Sequence, residues 1–397
     1  MTDARIVTPS GAGSKDRPPA GARRAGAWVA GAVVPTLSPV RVDQVIPSLA
    51  SRDAIGVHTV NLLHAFRAAG IDSDVYYGTC SEDLVALARP IAALGRGGHD
   101  RVLLYQASIG SPVFDVLAAR PERKLVNYHN ITPSELLAAW EPSIAYETSL
   151  GRAQLERLAP RCELAIAVSR FNEQELVDAG YRRTAVVPLL IDMTRSAGTS
   201  DQGLSRRLSA AKAAGGADLL YVGKISPHKA PHDLVKMLSV YRRVYDPAAR
   251  LHLVGSPFGE RYGGALEAFV DELGLGDVVT VTGSVSPAEL EAYWDAADVY
   301  VSASDHEGFG VPLVEAMGHG VPVVAYEAGA VRETVGDAGL VLESKEPLRF
   351  AAAVARVVSD ATLRARLVDA GTRRVGELGV ERSAARFLEL VRAASSA

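Results

Sequence analysis

Short runs rich in β-branched residues alternate with amphipathic stretches through nearly the whole chain, and this rhythm limits the possible folds more than any other feature. From Ala27 the apolar runs WVAGAVV, DVYYG, RVLLYQAS, KLVNYHN and LAIAVS are separated by helix-like segments, the first being DAIGVHTVNLLHAFRAAG. After a break the alternation resumes with DLLYVG, LHLVGS, VVTVTGS, VYVSAS, PVVAY and GLVL, and the chain closes in helical pattern only. Strands alternating with helices predict parallel sheets covered by helices. The expected class is therefore α/β, with two doubly wound Rossmann-like domains facing each other across a cleft. Such sheets bind ligands at the carboxyl ends of their strands.

Residues 1–25 are rich in Gly, Pro, Ser, Ala and Arg without apolar periodicity, which predicts a mobile tail. Arg23 and Arg24 before AGAWVAGAVVP superficially resemble the start of a signal peptide, but the apolar run reads equally as a first buried strand. Asp53 stands where a helix cap belongs, Ile55, Leu62, Leu63 and Phe66 mark one apolar face, and Gly70 fits the helix end. The rhythm weakens between Ile191 and Ala217, so the division falls at 26–200 for the first domain and 201–380 for the second. Residues 381–397 read as a closing helix.

With 42 Lys and Arg against 46 Asp and Glu, nothing in the charge favours nucleic acid, and a small-molecule or carbohydrate partner fits better. The 2 cysteines, Cys80 and Cys162, form neither a disulfide framework nor a metal cluster, so a cytoplasmic protein is expected. No run approaches the roughly 20 apolar residues of a membrane span.

The densest chemistry lies in SASDHEGFGVPLVEAMGHGVPVVAY, where Glu307 and Glu315 flank Gly308, Gly310 and Pro312. Glycines after a strand let backbone N–H groups approach an anion, and Pro312 suits the first position of a helix whose N-terminus points the same way. Glu307 would lie in the loop and Glu315 in the first helical turn, both able to accept hydroxyl protons from one ligand. Alone, Glu315 would merely complement the helix dipole and Glu307 would be a solvated charge. In this setting of glycines the ligand reading outweighs that.

This block resembles the Glu-x7-Glu motif of the retaining glycosyltransferases of family 4, which have the GT-B fold, and the resemblance extends from about Ala27 to the end. It implies a metal-independent enzyme without a cofactor, moving a sugar from a nucleoside-diphosphate donor to a glycan, glycolipid or small-molecule acceptor, with the closing helix at 381–397 packing back on the first domain as a strap across the hinge. By position, Glu307 would contact the donor sugar and Glu315 the ribose hydroxyls. The amides of Gly308, Phe309, Gly310 and Val311 would reach sugar and phosphates. In YVGKISPHK, Lys224 and Lys229 would neutralise the leaving diphosphate, although two surface lysines are the commoner meaning of such a pair. Lys224 stands where the family more often has Arg, keeping the charge but giving up bidentate contact.

The same resemblance makes His129, at the end of KLVNYHN, a sugar-positioning residue, whereas a lone His is more often structural. Gly56 would sit near the donor phosphates, though one glycine stands where the family often has two. Val57 and His58 would shape the acceptor side, and Gln106 to Ala139 would line it. Ser284 and Val285 would hold the nucleobase, and Gly255 would approach ribose or phosphate. The chain also resembles bacterial enzymes that build surface polysaccharides or glycolipids, some of which would work at the inner face of the membrane. For such peripheral contact Arg120, Arg123 and Lys124 offer a basic patch, read here as a solvated charge run.

Asp72-Ser73-Asp74 spells the Asp-x-Asp of metal-dependent transferases but opens a strand, the wrong end for a ligand, and no zinc spacing is present. A nucleotide-sugar epimerase would need an acid/base pair. An NAD-dependent oxidoreductase would need a Gly-x-Gly-x-x-Gly that the first helix lacks. A non-catalytic nucleotide-sugar or carbohydrate binder would have no need to retain both glutamates and both lysines.

Overall fold

The computed structural model describes residues 41–51, 53–98, 101–192 and 199–395. The tail at 1–25 and the strand expected at WVAGAVV lie outside the described residues. The first described strand is β1 (Arg41–Leu49), followed by β2 (Val75–Cys80), β3 (Arg89–Pro90), β4 (Arg101–Ala107), β5 (Arg123–Tyr128), β6 (Cys162–Ala167) and β7 (Thr184–Val186). They form one parallel sheet in the order β3-β2-β1-β4-β5-β6-β7. Helices α1 (Ala54–Ala68), α2 (Val113–Ala118), α3 (Pro142–Leu158) and α4 (Arg170–Asp178) connect them.

The second sheet holds β8 (Asp218–Val222), β9 (Arg250–Val254), β10 (Val279–Val281), β11 (Val299–Ser302), β12 (Val323–Tyr326) and β13 (Gly339–Leu342), in the order β10-β9-β8-β11-β12-β13. Its helices are α5 (Gln202–Ala213), α6 (Pro231–Val244), α7 (Glu260–Glu272), α8 (Pro287–Ala296), α9 (Val311–Gly318), α10 (Val331–Val335) and α11 (Pro347–Ser359), followed by α12 (Ala361–Glu377) and α13 (Val380–Ser395). Strand order reverses between β1 and β4 and again between β8 and β11, and each reversal opens a crevice at the strand ends.

Strand β1 escapes a search for apolar runs because Asp43 and Gln44 interrupt it, yet both are fully buried. Asp43 is tolerated because Arg41 and Arg101 reach its carboxylate at 2.9 and 2.7 Å. Helix α1 buries Leu62, Leu63 and Phe66, each contributing about 1.5–3 kcal/mol by leaving water. Gly70, at φ 75°, ends it and lets the Ile71 amide reach the Phe66 carbonyl at 2.9 Å. Asp53 does precede the helix and its carbonyl takes the Val57 amide, but its side chain makes no capping bond. Working side-chain caps occur instead at Ser169, Asp201, Ser286 and Asp360.

Helix α12 packs on α9, and α13 then crosses to the first domain. There Ala384, Phe387, Val391 and Ala394 join Val42, Leu62, Phe66 and Leu104 in one apolar cluster. Both cysteines are free. Among the described residues no helix is long and apolar enough to cross a membrane.

Candidate functional site

The glycine-rich loop after β11 and the turn after β8 converge on one carboxylate. Glu307 Oε1 accepts from Lys229 Nζ at 2.7 Å and from Ser304 Oγ at 2.8 Å. Lys229 closes the turn Pro227–Lys229 immediately before α6, which starts at Pro231. Gly310, at φ 83°, turns the chain into α9, a conformation that a side chain would strain. Among the described residues no hydrogen bond uses the amides of Gly308, Phe309 or Gly310. They stand beside the N-terminus of α9, where donors and dipole both favour an anion.

Glu315 is the fifth residue of α9, and so lies in its second turn rather than its first; Val311 and Pro312 open the helix. Its carboxylate receives no hydrogen bond from the described residues. Burial, reinforced by the Glu291 charge and opposed by His319, raises its pKa above the usual range. His319 is fixed behind it, stacked on Trp294 at 5.1 Å and within 3.1 Å of Glu291. A half-buried carboxylate without a protein donor is well placed to accept from a ligand.

Lys224 behaves differently from Lys229. It is exposed, with its ammonium 5.3 Å from the Phe258 ring centre. Gly255, at φ 145°, packs so closely that a Cβ would come 1.9 Å from the Gly223 carbonyl oxygen, and it bridges to Gly283. These glycines bring the ends of β8, β9 and β10 together, with Ser256 and Ser284 hydroxyls 2.5 Å apart and Val285 packed on the core beneath.

The first domain contributes neutral groups. His129 follows β5, with Nε2 2.6 Å from Gln106 Oε1 and its ring edge-on to His58 at 5.1 Å. Burial, and secondarily His58, holds its pKa well below the imidazole value. His58 is buried between His129 and Phe387 of α13, and burial lowers its pKa to about 3. Gln106 is likewise fully buried. Gly56 is the third residue of α1, where a Cβ would come 1.9 Å from the Ala50 carbonyl oxygen, so packing alone requires glycine there.

Several residues that tie the domains together carry no motif in the sequence. Asn130, at φ 79°, places Oδ1 2.6 Å from His306 Nε2. Ser169 Oγ donates to the Gly308 carbonyl at 2.7 Å, and the Arg170 amide donates to the Glu333 carboxylate at 2.9 Å. Gly308 is needed here too, since a Cβ would lie 2.4 Å from that of Asn130. Trp140 meets Tyr262 edge-on at 5.3 Å. The loop that holds Glu307 is thus gripped from the first domain by residues adjoining His129.

The basic patch is neither free nor solvated as a run. Arg120 pairs with Glu122 at 2.6 Å, Arg123 reaches the Ser395 carbonyl at 2.9 Å, and buried Lys124 donates to the Glu122 carbonyl at 3.0 Å. Asp72 and Asp74 precede β2 and both pair with Arg41, which accounts for them structurally. Among the described residues no three His, Cys, Asp or Glu side chains gather as a metal site would require.

Residues 207–374 match the family model described as glycosyl transferases group 1. The D-inositol 3-phosphate glycosyltransferase of Geodermatophilus obscurus is 34% identical over 230 residues, 55% of this chain and 50% of that protein. The chain thus aligns with about half the length of that curated relative. Among solved structures, Anabaena HepE in complex with UDP and glucose superposes with a TM-score of 0.67 at 19% identity, covering 89% of this chain and all (100%) of that one. WaaG, a glycosyltransferase involved in lipopolysaccharide biosynthesis, gives a TM-score of 0.63 at 13% identity over 88% of this chain and 99% of its own. The two parallel-sheet domains joined by a returning C-terminal helix are therefore the GT-B fold, and the second of them matches the glycosyl transferases group 1.

Proposed function

We propose that this chain is a retaining, metal-independent glycosyltransferase that moves a sugar from a nucleoside-diphosphate donor to a glycan, glycolipid or small-molecule acceptor, in bacterial polysaccharide or glycoconjugate synthesis. The observation that carries this reading is the Lys229–Glu307 pair at 2.7 Å beside the unused amides of Gly308 to Gly310, at the carboxyl ends of the second sheet. In this reading the departing diphosphate is stabilised by Lys229, Lys224, the loop amides and the N-terminus of α9, where negative charge grows in the transition state. Glu307 contacts the donor sugar, and Glu315 takes the ribose hydroxyls. Ser284 and Val285 border the base, Gly255 the ribose or phosphate, and Gly56 the phosphates.

Retention is accounted for by acceptor attack on the face the diphosphate leaves. The acceptor oxygen bonds to the anomeric carbon as the carbon–phosphate-oxygen bond breaks, and the acceptor proton passes to that phosphate oxygen. No protein nucleophile is then needed. The contacts around Asn130 and Ser169 exclude water by keeping the two domains closed on the reacting centre.

Thermal unfolding with UDP, GDP and ADP, each with and without magnesium, tests the reading on the wild type and on Glu315→Ala. A ligand that binds only the folded state at a hundred times its Kd adds about 2.7 kcal/mol of stability. One diphosphate stabilising the wild type without metal, and the variant not at all, supports the donor site. No stabilisation by any of the three at millimolar concentration refutes it.

A further inference from the structure

We propose that His319, braced by Glu291 and stacked on Trp294, is a positioning residue: it stands behind Glu315 as an imidazolium and keeps that carboxylate ionised, as an acceptor for the ribose hydroxyls of the donor. The ribose contact rests on the donor-site reading above; the charge on the ring follows from the bonds around it.

The backbone carbonyl of Glu315 can only accept, and His319 Nδ1 lies 2.8 Å from it, so that nitrogen carries a proton. On the other side of the ring Nε2 lies 3.1 Å from Glu291 Oε2. Turning the ring over would set carbon against both oxygens. A neutral ring protonated at Nδ1 would point its Nε2 lone pair at the carboxylate, and two acceptors do not bond each other. One further proton therefore lies between them, and it sits on nitrogen, because an imidazole is a stronger base than a carboxylate. The His319 side chain is 7% exposed and that of Glu291 11%, so water does not stand in for the missing donor.

Two features of the surroundings favour a cation at this place. Trp294 covers one face of the ring, with planes 18° apart and centres 5.1 Å apart, and the face of an indole attracts positive charge. His319 also caps the C-terminal end of α9, where the helix dipole is negative. The other ionisable groups around the ring are Glu291 from α8 and Glu315 from α9 itself. From β11 the Tyr300 ring packs on Trp294 and its hydroxyl donates to the Val222 carbonyl at 3.3 Å, and α12 sets Val368 and Gly371 against the end of α9.

Without His319, Glu315 and Glu291 would be two carboxylates at one helix junction, and like charges held close drive one of them to take up a proton. The imidazolium reverses this: it neutralises Glu291 and places a positive charge one helical turn from Glu315. A protonated Glu315 would turn one oxygen into a donor, whereas the ionised group offers both oxygens to the neighbouring hydroxyls of a ribose.

Long-range 1H–15N spectra of the uniformly labelled full chain at about pH 7, with the His319 ring assigned through His319→Gln, are expected to show both nitrogens protonated in the wild type and only Nδ1 protonated in Glu291→Gln. A wild-type ring with a bare Nε2 overturns the proposal. Binding is then measured by calorimetry with whichever of UDP, GDP and ADP stabilises the wild type, and with its 2′,3′-dideoxy form. His319→Gln keeps an amide donor toward Glu291 but carries no charge. It is expected to bind the ribonucleotide about tenfold more weakly than the wild type at about pH 6.5 and to recover to within about twofold at about pH 9, where Glu315 ionises unaided. The dideoxy form should bind both proteins alike. His319→Asn, which keeps a donor toward the Glu315 carbonyl, gives the same profile should His319→Gln not fold. No loss at the lower pH, a loss equal at both pH values, or a loss that extends to the dideoxy form overturns the proposal, since a structural defect would not recover with pH. A wild type that binds none of the three nucleotides defeats the donor-site reading and the ribose contact with it, while the ring spectra decide the charge on His319 independently.

Discussion

At the carboxyl ends of the second sheet the polar groups are charged: Glu307 with Lys229, Glu315 backed by Glu291 and His319, and Lys224 near Phe258. On the first sheet a buried run of neutral amides and imidazoles leads from Thr59 through Gln44 and Gln106 to His129, and the Arg152–Glu175 ion pair stands behind Asn130 and Ile131. The difference teaches how one cleft divides its work. In the proposed reading the charged groups hold a leaving anion, on glycine loops that admit it closely. In the same reading the neutral amides and imidazoles orient hydroxyls, inside a sheet rigid enough to keep them aligned.

The comparison breaks most readily at Glu307. Glu307→Ala removes the acceptor shared by Lys229 and Ser304, and a loss of about 10³ in kcat/KM, roughly 4 kcal/mol, is expected from initial rates of donor turnover. A change within tenfold would mean that the charged half does not carry the chemistry.

Glu315→Gln should act with opposite signs on two measurements. Because burial raises this carboxyl's pKa in the fold, the ionised form costs stability as pH rises through that value. The ligand-free variant at pH 7 is therefore expected to melt a few degrees higher than the wild type, yet to bind the nucleoside diphosphate about tenfold more weakly. A variant that melts lower when empty would show that Glu315 has a structural partner after all.

The neutral half has its own pH signature. His58, whose pKa falls to about 3, and His129, held well below normal, are kept neutral chiefly by burial, as is His306 on the facing second-domain loop, lowered to about 4. Depressed imidazole pKa values contribute stability that is fully present above the unfolded value near 6.5 and is lost as pH falls toward the folded values. The melting temperature should accordingly decline between pH 6.5 and 4, and His58→Asn should flatten that decline. A melting temperature constant over this range would contradict the buried neutral network.

The smallest effect expected is at Lys224. Its ammonium is exposed and lies over an aromatic ring, so Lys224→Ala should cost about two- to fivefold in kcat/KM. A loss as large as that at Glu307 would move Lys224 into the charged centre and redraw the division of the cleft.

Much of the second domain was legible in the sequence because its features are local. A glycine loop between a strand and a helix, flanked by carboxylates at fixed spacing, keeps its geometry wherever it occurs, and Lys229 stands just before α6. Strand β1 was not legible, since Asp43 and Gln44 look like surface residues until Arg101 and Gln106 from β4 arrive beside them. Asp53 read as a cap that its side chain does not make. Arg120, Arg123 and Lys124 read as a charge run, but Glu122 and the C-terminal carbonyls absorb them.

By itself the sequence determined the α/β alternation, the presence of two parallel sheets and the Glu307–Glu315 block, because periodicity, turn glycines and helix starts depend on near neighbours along the chain. Only the tertiary structure decided which residues meet across long separations. It set Asn130 against His306, Ser169 against Gly308, α13 against His58, and Gln44 behind His129. Amides and imidazoles are pattern-neutral in sequence, and their roles as donor or acceptor exist only once packing fixes what each one faces.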